Sequence, residues 1–254
     1  MYHTYLSIIA IVSSLTITGL TLAYVTCYQK RPFVSQDIGR VYLFTDAIFN
    51  AESSRHVIDF FTIQHIQHGI ANFLLISILP IAKLGLSNNP NDSNNPNIVS
   101  VDLSVLEIAS ISLIIACIWE VIENTPCFFK VFNTTGAPEE YTGDTVINII
   151  SDITFCTSAT IICTFVPFYW NMIALIALEL ISIVIGRESL TLLVLGIFSK
   201  SLKEWQRKFE PRPVRFFAQL YPVFNLCEYA VLDTSIGAEP NEGTNLNLYN
   251  RTNF

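Results

Sequence analysis

The chain has 254 residues, of which 51% are hydrophobic and 14% charged, and its 14 basic and 21 acidic side chains give a net charge of −7. Mean hydropathy is +0.46, whereas an ordinary soluble domain carries about 25% charged residues. The balance excludes a disordered chain, which would be poor in apolar residues, and a nucleic-acid binder, which would be basic. We therefore expect an all-α polytopic membrane helix bundle surrounded by membrane lipids.

The first segment, Tyr5 to Tyr28, carries no charge over 24 residues, enough to cross a hydrocarbon core of about 30 Å. Its first basic residues, Lys30 and Arg31, follow the apolar run instead of preceding it, so the expectation is a retained helix rather than a cleaved leader. A polar and aromatic connector, Gln29 to Ile63, leads to a second span at about 64–86. The stretch Ser87 to Ser100 (SNNPNDSNNPNIVS) reads as a polar loop. Further spans follow at about 101–122, 145–166 and 169–186, with Pro167 joining the last two as a tight hairpin. Leu190 to Phe198 is too short to cross and is expected to be re-entrant or interfacial. Lys200 to Lys208 reads as a basic amphipathic helix that Pro211 and Pro213 end.

Residues 1–207 thus form a transmembrane domain of about five spans. Residues 208–254 form an extended C-terminal tail, first aromatic and then polar. The tail's Val214 to Val231 is expected to lie on a membrane or a partner rather than span. Basic residues cluster in the first connector (Lys30, Arg31, Arg40, Arg55) and after the short segment (Lys200 to Arg215). Five spans put both groups on one side, as the positive-inside rule prefers, with the N-terminus outside and the C-terminus inside.

The cysteines, Cys27, Cys117, Cys127, Cys156, Cys163 and Cys227, form no CxxC pair and read as small apolar packing residues, without a disulfide framework or zinc knuckle. Gly143-Asp144 reads as a turn and N-cap opening the fourth span.

The ionisable residues are more informative. His65 and His68 start the second span, Glu120, Glu123 and Asn124 end the third, and Asp144, Asn148 and Asp152 start the fourth. Glu179 lies in the fifth and Arg187 ends it. Alternating topology brings all of them to the inner half. The two i, i+3 pairs each share a helix face, and Asp152 lies roughly 12 Å along the axis from Asp144 at 1.5 Å per residue. An intramembrane carboxylate costs about 2.5–3.5 kcal/mol on insertion scales, so such groups face a bundle interior. Three readings stand. His65, His68, Glu120, Glu123 and Asp152 could ligate a divalent metal. A His/Glu pair could move protons or assist hydrolysis, with Glu123 and Asp152 as candidate catalytic groups. The residues could also be polar glue between helices, Asp144, Asn148, Glu179 and Arg187 forming a structural network.

The blocks GRVYLF and AESSRHVIDFFTIQHIQHG within 39–69, WEVIENT (119–125), YTGDTVINIISD (141–152), RESLTL (187–192) and KEWQ (203–206) resemble, in order, an alphaproteobacterial polytopic membrane family of unknown function. The resemblance covers about Gly39 to Arg207. It rests chiefly on the patterns WExxENT and YxGDxxxNxxSD, and implies the fold class and the polar cluster. An order H, ExxE, DxxxNxxxD is more weakly similar to VanZ-like membrane proteins.

The 33 Ile and 18 Asn residues point to an AT-rich coding sequence, as in a mitochondrially encoded subunit or an AT-rich bacterium. The first expectation for function is therefore an accessory, non-catalytic subunit of a mitochondrial or bacterial inner-membrane energy-converting complex (respiratory chain or ATP synthase). Its tail and connector would meet other membrane subunits, and a phospholipid would be bound. The alternative is a membrane-embedded, metal-dependent hydrolase or transferase acting on a lipid-linked substrate through the His/Glu/Asp cluster. A proton or ion pathway through Asp152 and Glu179 ranks third.

Overall fold

The computed structural model describes residues 2–35, 40–45, 53–78, 103–133, 143–187, 189–207 and 222–225. The chain forms α1 (Tyr2–Ala23), continued by a π-helical turn at Tyr24–Tyr28, then β1 (Arg40–Tyr42), α2 (Thr62–Ile78) and α3 (Val105–Glu123). The remaining elements are α4 (Pro126–Asn133), α5 (Val146–Cys163), α6 (Phe168–Gly186), α7 (Leu190–Phe198), α8 (Lys200–Arg207) and β2 (Pro222–Asn225). The protein is an all-α membrane bundle. Among the described residues, four helices are long and apolar enough to cross a bilayer: α1 through Tyr28, α3, α5 and α6. The expected second span is described from Thr62 to Ile78; the rest of it, the Asn-rich loop and most of the tail lie outside the described residues.

Helix α5 is the centre. Both α2 and α3 pack on it, while α1 leans on the outside of α3 and α6 on the outside of α2. Val25, Ala116, Cys117, Ile149, Ile153 and Cys156 make one apolar core between α1, α3 and α5. Ile70, Phe73, Leu74, Ile108 and Cys163 make another around α2. Lipid tails are as apolar as a leucine side chain, so close packing and interhelical hydrogen bonds must supply the cohesion. Gly69 provides the closest approach, since a Cβ there would stand 2.1 Å from the Cys156 carbonyl oxygen. Thr160 Oγ1 donates to Gly69 O at 2.8 Å and accepts from Ser112 Oγ at 2.7 Å. Asn72 Nδ2 donates to that same Ser112 Oγ at 3.2 Å. Gln67 Nε2 reaches Ser182 Oγ on α6 at 3.1 Å.

Helix starts follow side-chain chemistry. Ser104 and Glu107 form a reciprocal capping box, which starts α3 at Val105, later than the 101 that hydropathy alone suggests. The hairpin at Pro167 is present, with α6 beginning at Phe168. Gly143-Asp144 does not cap α5. The N-cap is Thr145, without a side-chain cap bond, because the connector backbone does the work instead. Thr145, Val146 and Ile147 donate their N–H groups to the carbonyls of Ser54, Pro32 and Phe33 at 3.1, 3.0 and 3.3 Å. Those N–H groups are the ones a helix start leaves without intrahelical partners. The tail departs from expectation at 222–225, where β2 pairs antiparallel with connector strand β1.

Candidate functional site

Three helix ends meet beside the connector. His65 lies on the first turn of α2, Glu120 on the last turn of α3 and Asp152 on the second turn of α5. Each offers one donor atom, and the three atoms lie within 4.8 Å of one another, all on buried residues. The imidazole stands between the acids, with His65 Nδ1 3.4 Å from Glu120 Oε1 and Nε2 3.6 Å from Asp152 Oδ2. Both separations exceed the 2.7–3.2 Å of a good N–H···O bond. Glu120 is 1% exposed, and neither of its carboxylate oxygens has a hydrogen-bond partner among the described residues. Asp152 is better supported, since Thr62 Oγ1 lies 3.5 Å from its Oδ1.

A cation held at about 2.0–2.2 Å by nitrogen and oxygen donors keeps them about 3.3 Å apart. The 3.4 and 3.6 Å pairs lie on opposite ring nitrogens, so a single cation would take one ring nitrogen together with both acids, three donors that lie within 4.8 Å of one another and would have to draw closer. The same triad without a cation is a short acid–imidazole–acid relay, able to pass a proton from one ring nitrogen to the other.

His68 and Glu123, expected beside these residues, do not join the donor cluster. Three residues of helix turn a side chain about 60° short of a full turn, and that offset sends His68 to a different wall. Its ring sits edge-on to Trp119 at 4.7 Å and to His65 at 6.0 Å, in a cavity of about 170 Å³ between α2 and α3 that Asn72, Ile115 and Cys156 also line. Glu123 lies one turn nearer the helix end.

Asp144 and Asn124 clasp each other. Asn124 Nδ2 donates to Asp144 Oδ2 at 2.8 Å, and Asp144 N donates to Asn124 Oδ1 at 3.0 Å. Arg31 closes this corner by donating to Asn124 O at 3.2 Å and stacking on Phe129 of α4 at 4.7 Å. Gly143 is needed there because its φ of +103° is a conformation that L side chains rarely adopt. Asn148 Nδ2 holds the His56 carbonyl at 3.0 Å. Glu179 and Arg187 serve the other end of the chain. Glu179 Oε2 accepts from Thr191 N at 3.3 Å, and Arg187 stacks on Trp205 at 4.6 Å while donating to its carbonyl at 3.0 Å.

Two residues that sequence reasoning passed over support the site from the connector. Asp59 is buried and accepts from Ser54 N at 2.7 Å, Phe61 N at 2.8 Å and Thr62 N at 3.1 Å, fixing the start of α2. Burial pushes its carboxyl up to about 6 despite those bonds. His56 accepts from Tyr42 N at 3.2 Å, and burial, aided by Arg55, pushes it down to about 4. The sequence signal for Asp59 is the spacing Asp59-x-x-Thr62 just before the apolar run, a helix-start pattern.

A family model described as a protein of unknown function (DUF2585) matches residues 28–208. A UPF0314 protein of Agrobacterium fabrum is 26% identical over 189 residues, covering 74% of this chain and 85% of the relative. A UPF0314 protein of Brucella anthropi is 22% identical over 173 residues, covering 67% and 77%. One from Sphingopyxis alaskensis is 24% identical over 188 residues, covering 73% and 88%. No solved structure matches. The match takes in the connector, the central helices and α8, and omits most of α1 and the tail.

Proposed function

The chain belongs to the DUF2585 family, and from that premise and its buried polar centre we propose a membrane-embedded enzyme in which His65, Glu120 and Asp152 bind a divalent cation. The reaction class is metal-assisted hydrolysis or group transfer on a lipid-linked substrate, at the inner leaflet of a bacterial inner membrane. The observation that carries this is Glu120, a fully buried carboxylate whose two oxygens lack hydrogen-bond partners among the described residues while facing an imidazole and a second acid. A lone buried charge costs several kcal/mol, and a bound cation would offset that cost. Three protein donors leave a coordination position for water, as catalytic sites do. One imidazole with two carboxylates suits Mg²⁺, Mn²⁺ or Zn²⁺. The bacterial relatives support the compartment, and the clustered Lys and Arg support an outside N-terminus.

The test is metal titration of the purified, chelator-stripped full chain in lipid nanodiscs. We expect about one Mn²⁺ or Zn²⁺ per chain, with a rise in thermal stability that follows occupancy, about 2.7 kcal/mol at a hundredfold excess over Kd. His65→Ala and Asp152→Asn should lose the ion and Glu179→Gln should keep it. A wild-type chain that takes up no stoichiometric metal overturns the reading.

Isoleucine and asparagine richness and the polar tail favour a second reading, an accessory subunit of a mitochondrial or bacterial energy-converting complex with bound phospholipid. Migration of the native protein as a free monomer in mild detergent would count against it.

A further inference from the structure

Helices α2 and α3 touch each other little, because α2 packs mainly on α5 and α3 on α1 and α5. Between them lies a groove, the 170 Å³ cavity, whose walls include His65, His68 and Asn72 on α2 and Ile115 and Trp119 on α3. The three α2 residues are spaced three and four apart, as one helix face requires. Leu75 on α2 and Ile118 on α3, each close in sequence to these walls, are apolar and 50% and 52% exposed. His68 makes ring contacts only, with no hydrogen-bond partner among the described residues, and an ionisable group inside a membrane helix marks a functional position by default. His68 lies about 9 Å along α2 from Thr62 at 1.5 Å per residue.

We propose that this groove takes an ester-linked acyl lipid sideways from the bilayer, with His68 donating a hydrogen bond to the ester carbonyl next to the His65–Glu120–Asp152 centre. The proposal rests on the cation-site reading for the reaction but not for the binding. The chemistry of the walls selects this occupant. The nearest charged groups are carboxylates, which repel a free phosphate and tolerate a neutral ester. The cavity is several times the roughly 30 Å³ share of one water, yet smaller than the about 300 Å³ of a typical pocket for a whole small ligand. It therefore fits the linkage and first carbons of a chain whose remainder would lie against exposed apolar side chains such as Leu75 and Ile118.

Trp119, on the groove wall, reports occupancy. The full chain carrying Trp170→Phe and Trp205→Phe is placed in phosphatidylcholine nanodiscs containing chain-brominated diester lipid, or its diether analogue at equal bromine content. No metal is added, so the outcome is independent of the cation titration above. We expect at least twofold stronger quenching of Trp119 by the diester lipid, and loss of that preference in His68→Phe. Equal quenching by diester and diether lipids, preference unchanged in His68→Phe, or quenching only by aqueous acrylamide each overturns the proposal. If His68→Phe fails to insert, His68→Gln, which keeps a donor, should retain the preference; equal quenching there overturns it as well.

Discussion

Substituting Gly69 by Ala tests the helix packing that brings the triad together. The added Cβ would stand 2.1 Å from Cys156 O and 2.8 Å from the Ala159 Cβ, against ordinary contacts of 3.4–4 Å, so α2 and α5 must separate by about 1 Å. Overpacking of this kind costs about 1–3 kcal/mol. Weakening of the Thr160 bond to Gly69 O adds about 0.6 kcal/mol, the average for interhelical bonds in membranes, and the better helix propensity of Ala returns about 1 kcal/mol. The net expectation is a loss of about 2 kcal/mol, read by reversible unfolding in mixed micelles. Gly19→Ala is the control, because a Cβ there meets nothing within 4 Å, and it should be neutral or stabilising by up to about 1 kcal/mol. Equal stability of the two variants would refute the close approach of α2 and α5, and with it the geometry of the centre.

Glu120→Gln should stabilise the metal-free protein, since it removes an unpartnered buried charge, and should abolish stabilisation by Mn²⁺; thermal unfolding with and without the ion checks both. Asp59 gives a signed pH dependence. Burial holds its folded carboxyl at about 6 against an ordinary 3.8, so its contribution to stability is fully present below pH 3.8 and is lost as pH rises through 6, by about 3 kcal/mol at 1.36 kcal/mol per unit. The stability of Asp59→Asn relative to wild type should therefore improve by about that amount between pH 4 and 7, and a difference constant with pH would refute it. His56 runs the other way. Held down at about 4, it contributes stability above pH 6.5 that is lost as pH falls towards 4, so the deficit of His56→Gln against wild type should shrink on acidification. Asn124→Ala, which strips both reciprocal bonds from Asp144, should cost about 2 kcal/mol, within the range for hydrogen bonds to buried charged groups, and lower the thermal midpoint accordingly.

The spans were legible because an uncharged run of twenty-odd residues has few alternatives to crossing a membrane. The meeting of His65, Glu120 and Asp152 could be anticipated from parity alone, as each sits at a helix end that alternating topology brings to one side. The azimuths of His68 and Glu123 could not. A spacing of i, i+3 leaves two residues on adjacent but different lines of sight, and only the tilt of α2 against α5 decides which wall each one meets. Helix α4 is eight residues long, too short for periodicity to announce it. The pairing of Arg40–Tyr42 with Pro222–Asn225 joins segments some 180 positions apart, and neither carries a strand pattern long enough to single it out. The cap of α5 was misread because its partners are main-chain carbonyls, which have no sequence signature.

Those carbonyls bear on how the molecule is assembled. Pro32, Phe33 and Ser54 receive the leading N–H groups of α5, yet they leave the ribosome roughly a hundred residues ahead of it. The segment that carries Asp152 is thus made after all three of its acceptors. A protease cut that displaced the connector would strip the first turn of α5 of those acceptors, even with every crossing helix intact.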